Sequence, residues 1–188
     1  MQPRAAAAWA GPVYTIGHST RPFEEFVALL RDNGVAAIAD VRRFAGSRRN
    51  PQYGRDVLPA ALAAQGIAYR WLPGLGGRRR ARPDSPNTAW RHEAFRGYAD
   101  HMASDEFARG YRELLAYCAA QPSALMCAET LWWRCHRALV SGALVADGIE
   151  VIHILGPGKT ARHVLRPPAR LADGRLTYTP PAAPPAAA

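Results

Sequence analysis

Lysine is almost missing from this chain: of its 24 basic residues only Lys159 is lysine. Cysteine is nearly as scarce. Cys118, Cys127 and Cys135 make an odd count of three, which excludes a paired disulfide framework and favours a reduced, cytoplasmic setting. No apolar run approaches the roughly 20 residues of a membrane span, so no membrane partner is expected. The opening "MQPRAAAAWAGP" carries one arginine and a short alanine run, too weak a pattern for a secretory signal. P-loop, dinucleotide and metalloprotease motifs are absent, and there is no internal repeat.

What is present is a positive surplus. The chain has 188 residues, 48% of them apolar, with a net charge of +9 and a pI near 10.2. That length suggests one domain with enough apolar surface for a core. Codon bias explains arginine over lysine, but neither the net excess nor its clustering. Arg42, Arg43, Arg48 and Arg49 fall in one stretch, and Arg78, Arg79, Arg80 and Arg82 in another. The clusters favour a phosphate-bearing ligand or nucleic acid over a merely basic surface.

The pattern between the ends alternates. "PVYTIG" reads as a strand and "RPFEEFVALLRDNG" as a helix with Phe23, Phe26, Val27 and Leu30 on one face. "VAAIADV" and "IAYRWL" read as buried strands, separated by a short helix over 56–65 with Asp56 as its cap. A longer helical region follows, then "SALMCAE" as a strand, "CHRALVSGALVADG" as a helix and "IEVIHIL" as a fifth strand. This predicts a single-domain α/β fold of about five mostly parallel strands flanked by helices, Rossmann-like or flavodoxin-like. "RLADGRLTY" predicts a small C-terminal hairpin turning at Asp173-Gly174. The expected organisation is a flexible extension over 1–11, the α/β domain over 12–166, and a C-terminal extension over 167–188 with a disordered tail.

Polar signatures fall in register with the strands. "GHST" follows the first, "DVRRFAGSRRNPQY" leaves the second, "LPGLGGRRR" the third and "CAE" ends the fourth; His153 and "GPGK" lie at the end of the fifth. The carboxyl ends of an open parallel sheet form its ligand crevice, so five separate stretches should meet there. The set "YTIGHST", "DVRRFAGSRRNPQY", "LGGRRR", "FRGYADHM", "CAE" and "CHR" resembles the bacterial and archaeal family called domain of unknown function 488. The resemblance runs from about Val13 to Leu155, with Ala45 where proline is common. It implies a compact α/β domain and supplies no reaction.

The chemistry concentrates in "CAETLWWRCHR". A helix starting at Cys135 would set its sulfur at the positive end of the dipole, beside Arg134, His136 and Arg137, favouring thiolate. Cys127 ends a buried strand and either packs or supports the site. Cys118 lies on an apolar helical face and reads as core. A phosphatase-like or rhodanese-like cradle is disfavoured, because six residues separate Cys127 from Arg134 and the loop has no glycine. Metal ligation could draw on Cys127, Cys135, His136 and His18, but Cys135 and His136 should point apart on a helix, so no metal and no other cofactor is required. Glu129 either positions a base or arginine, or forms an ion pair with Arg137 or Arg42. Asp40 stands beside Arg42 in the same way. His18 suits phosphate contact or proton transfer. His92 and His101 read as surface residues. Phe44, Tyr53, Trp71 and Trp90 offer stacking surfaces beside the arginines.

These residues predict an enzyme acting on a nucleotide, nucleic acid or other phosphate-bearing substrate by transfer or hydrolysis. Arg42, Arg43, Arg48, Arg49, Arg78, Arg79, Arg80 and Arg137 would bind the anion. His18, Glu129, Cys135 and His136 would carry the chemistry, with Asp40, Cys127 and Tyr53 in support. The alternatives are a non-catalytic nucleic-acid-binding module with a structural cysteine cluster, and a small metal-binding domain. The sequence sets no oligomeric state.

Overall fold

The computed structural model describes residues 11–46, 48–172 and 174–181. Most of the expected N-terminal extension, Asp173 of the expected turn and most of the C-terminal tail lie outside the described residues.

Five parallel strands build the sheet: β1 (Val13–Gly17), β2 (Ala37–Asp40), β3 (Ala68–Trp71), β4 (Ser123–Cys127) and β5 (Val151–Gly156). A sixth strand, β6 (Lys159–Arg162), pairs antiparallel with β5. The spatial order is β3-β2-β4-β1-β5-β6. The helices are α1 (Phe23–Asp32), α2 (Leu58–Ala63), α3 (Glu93–Met102), α4 (Asp105–Ala120) and α5 (Arg137–Ala146). The expected hairpin is present as β7 (Arg170–Ala172) and β8 (Arg175–Thr177).

Alternate residues of each strand feed opposite faces, as the pleat requires. Ile16, Ile38 and Met126 pack with Phe26 and Leu30 of α1 and with Leu58 and Leu62 of α2. Ala39, Val41, Leu125 and Val151 pack on the other side with Tyr98 of α3, Leu114 of α4 and Leu139 and Leu144 of α5. Each fully buried Leu or Phe contributes about 1.5–3 kcal/mol, so the two clusters fix which face each helix covers. The hairpin joins the second cluster through Tyr178, which is 4% exposed. The α/β single-domain expectation therefore holds, and helices cover both faces.

β4 lies between β1 and β2, unlike the usual doubly wound orders. The chain leaving β1 enters α1 on one face, and the chain leaving β4 enters α5 on the other. Adjacent strands whose connections depart to opposite faces leave a crevice at their carboxyl ends. That crevice holds "GHST" and "CAE". "GPGK" forms the turn from the carboxyl end of β5 into β6. Asp56 does not cap α2, which starts after Val57 without a side-chain cap.

Candidate functional site

The crevice is closed at its base by backbone. The N–H of His18 donates to the Cys127 carbonyl at 2.9 Å and that of Ser19 to the Ala128 carbonyl at 3.0 Å, extending the β1–β4 ladder. The two loops run so close that a Cβ on Gly17 would stand 2.1 Å from the Glu129 carbonyl oxygen. Ser19 holds φ at 48° and Arg78 at 58°, left-handed conformations that cost about 1–3 kcal/mol in non-glycine residues and cluster at functional loops.

Arg42 and His18 form one wall. Arg42 donates through Nε to Asp40 Oδ1 at 2.8 Å and through a terminal nitrogen to Oδ2 at 2.6 Å. The Tyr69 hydroxyl donates to the same carboxylate at 2.7 Å. His18 Nδ1 lies 2.8 Å from the Ser19 carbonyl, which only accepts, so the proton sits on Nδ1. Nε2 is then an acceptor, and Arg42 donates to it at 3.2 Å. Burial drives the His18 pKa down to about 4. The Tyr53 ring stacks on the imidazole at 4.1 Å and its hydroxyl donates to the Arg21 carbonyl. His18 is thus a neutral imidazole, held on both sides.

Cys135 sits at the centre. It follows a short 3-10 turn (Trp132–Arg134) and is extended, with φ −125° and ψ 149°. α5 begins at Arg137, two residues later than expected. This corrects the expectation that Cys135 and His136 diverge. The extended Cys135 backbone turns its sulfur to His136 Nδ1, 3.5 Å away. His136 Nε2 donates to the Val41 carbonyl at 2.9 Å, which turns Nδ1 toward the sulfur. Gly77 covers that ring: a Cβ there would lie 2.7 Å from Nδ1. Tyr98 supports it from beneath, with ring centroids 5.1 Å apart.

Arg137 is 1% exposed. Its Nε donates to Cys135 Sγ at 3.4 Å, and a terminal nitrogen donates to the Glu129 and Thr130 carbonyls. Among the described residues, no carboxylate pairs with it. A buried cation requires an anion nearby, and the Cys135 sulfur is in position. A hydrogen bond from Cys127 holds the Cys135 thiol well below its ordinary range, with His136 and Arg137 adding to it against burial. Cys127 is pushed well up by the same hydrogen bond and by burial. Within the pair the two shifts run in opposite senses, so Cys135 is the more acidic sulfur and Cys127 the less acidic one.

The Cys127, Cys135 and His136 donor atoms lie within 4.8 Å of one another. Two sulfurs and an imidazole suit a soft divalent cation. The Arg137 guanidinium beside Cys135 already supplies a positive charge there, and a dication would meet it at close range.

Several expected residues stand elsewhere. The Glu129 carboxylate is exposed and caps its own turn, accepting from Leu131 N at 3.0 Å; its backbone carbonyl, not its side chain, meets Arg137. Arg42 and Arg137 are buried floor residues, not rim cations. Arg48 and Arg49 are exposed. Arg43, Arg78, Arg79, Arg80 and Arg82 line an open cavity of about 590 Å³ beside α3. Cys135 is not among the residues lining that cavity and is only 5% exposed. His101 is buried, against expectation: its Nε2 donates to the Gly74 carbonyl at 2.7 Å and fixes the third loop. His92 is exposed, as expected.

Sequence reasoning missed a second buried pair. His153 Nε2 and His163 Nδ1 lie 3.0 Å apart, Thr15 Oγ1 is 2.7 Å from His153 Nδ1, and Trp132 stacks on His153 at 4.0 Å. Burial lowers the His153 pKa to about 3 and that of His163 to about 4. His163 lies just beyond the polar edge strand β6, where no motif marks it.

The fold and site define a doubly wound α/β domain with a buried cluster of cysteine, histidine and arginine at its switch point. Residues 22–144 match the family described as Domain of unknown function DUF488, and the chain belongs to that family. No curated protein and no solved structure matches it.

Proposed function

We propose that this protein is an enzyme acting on a phosphate-bearing substrate, with the Cys135 thiolate as nucleophile. The observation that carries the reading is the unpaired Arg137 guanidinium beside Cys135. A structural cysteine needs no buried cation, whereas an activated thiolate does. His136 would exchange a proton through Nδ1, which faces the sulfur. Arg42 and neutral His18 would orient the anion, and the arginines beside α3 would hold its outer charge. Transfer or hydrolysis suits such a set.

A second reading has its own support. Cys135 is only 5% exposed and the arginine cavity does not include it. A nucleic-acid-binding module with a structural thiol cluster accounts for both.

Timed alkylation followed by mass spectrometry separates them. Cys135 should react with a midpoint below the roughly 8.5 of a free thiol, and before Cys118, whose pKa burial pushes up to about 12. Cys135→Ser should remove the fast phase, His136→Ala should slow it, and a chelator should change neither. A chelator that exposes Cys135 would move the site to metal binding. A Cys135 that stays unmodified until the chain unfolds would leave the binding module.

A further inference from the structure

Two cavities share Arg43 as a common wall. The larger, about 590 Å³, is the arginine cavity beside α3. The smaller, about 260 Å³, is lined by Arg43, Phe44, Ala45, Gly46, Arg55 and Trp71. Their chemistry differs, and the difference identifies an occupant.

The larger cavity has spare positive charge. Arg79 is held by both Glu106 oxygens at 2.8 and 2.9 Å, and Arg82 lies 3.5 Å from Asp84. Asp100 is already occupied by Ser85, Asn87 and the Arg82 N–H. Arg78 and Arg80 are exposed and have no carboxylate partner among the described residues. Arg43 donates to the Arg78 carbonyl at 3.0 Å and has no carboxylate partner within ion-pair distance among the described residues. Three guanidiniums therefore face solvent with no carboxylate within ion-pair distance among the described residues.

The smaller cavity has aromatic faces. Phe44 is 63% exposed, with the Arg43 guanidinium 5.5 Å from its ring centre. Arg55 lies over the Trp71 ring at 4.4 Å. Trp71 is held by its own N–H, which donates to the Arg42 carbonyl at 2.8 Å. An exposed phenylalanine on a cationic rim contributes little to folding, but its face is open to stacking.

We infer that this paired groove binds single-stranded nucleic acid, with phosphates at Arg43, Arg78 and Arg80 and bases against Phe44 and the Trp71–Arg55 pair. The inference rests on the phosphate-bearing substrate proposed above and names its class. A cationic track next to stacking faces is the general device for single strands, whose bases are free to splay. A duplex keeps its base faces inside. An acidic peptide would satisfy the arginines and leave Phe44 bare. A mononucleotide would fill one cavity only.

The test is fluorescence anisotropy on the full chain with a labelled single strand of about twelve nucleotides, as DNA and as RNA, and the duplex of the same sequence. The single strand, in either sugar, should bind more tightly than the duplex. Phe44→Ala should weaken it by at least about fivefold through lost stacking. The double change Arg78→Ala, Arg80→Ala should reduce the slope of log affinity against log salt by about 1.4. Equal or tighter duplex binding would overturn the inference. So would a Phe44→Ala protein that binds like the parent, or equal competition by a mononucleotide or polyglutamate. Alkylation of Cys135 reports the thiol centre separately. Rapid alkylation without strand binding removes the groove and keeps the thiolate reading; strand binding with an inert Cys135 does the reverse.

Discussion

Lowering the pH from 7 to 5 should destabilise this protein through its buried histidines. His18, His153 and His163 are 1%, 1% and 6% exposed. Burial lowers their pKa values from 6.5 to about 4, 3 and 4. The unfolded chain takes up protons as pH falls through 6.5, while the native chain does not until far lower. Stability is therefore present above 6.5 and is lost progressively below it. Each such histidine removes about 2 kcal/mol between pH 7 and pH 5. The groups facing His18 do not cancel the effect: the Ser19 carbonyl and Asp40 raise its pKa, Arg42 and Arg137 lower it, and each acts less than burial does. Urea unfolding at pH 7, 6 and 5 measures the loss. His153→Gln should flatten the profile by about one histidine's share, since the amide keeps a hydrogen bond without titrating. A parent protein with equal unfolding free energy at pH 7 and pH 5 would refute the reasoning, because it would mean that these rings are hydrated or ion-paired in the native state.

Asp40→Asn should cost about 3–5 kcal/mol, because it leaves the Arg42 guanidinium buried at 5% exposure with half its partner; thermal unfolding checks it, and a shift as small as that of an exposed-site control would remove the pair from the structural argument. Gly77→Ala should slow Cys135 alkylation while leaving the fold intact, since its Cβ would meet His136 Nδ1 at 2.7 Å and push the imidazole from the sulfur. An unchanged alkylation profile in that variant would detach His136 from the thiolate.

The layer architecture was legible because each buried strand and each amphipathic helix carries its own period. Strand order was not. Insertion of β4 between β1 and β2 is a choice among long-range pairings, and no local pattern encodes it. β6 was also hidden. Its residues, Lys159–Arg162, form a mostly exposed edge with no apolar alternation, so nothing in "GPGK" announced a further strand. The helix α2 was expected too long because Asp56 has the right chemistry for a cap, yet the chain enters the helix one residue later.

The site was legible in residue type and only partly in direction. Strand ends identify which residues reach the crevice; the backbone angles of one residue decide what they do there. A helical Cys135 would have parted its sulfur from His136. The extended Cys135 lets two consecutive side chains meet, with Arg137 of the first helical turn closing on the same sulfur. Gly17 is part of that device, because a side chain there would push away the Glu129 carbonyl that anchors Arg137. Two carbonyl oxygens orient this guanidinium but do not neutralise it. Leaving a full charge uncompensated at 1% exposure costs several kcal/mol, and the Cys135 sulfur, 3.4 Å from Nε, is the group placed to offset it. The hydrogen bond from Cys127 is the largest influence lowering the Cys135 thiol, and the buried arginine acts in the same direction from its Nε contact at 3.4 Å.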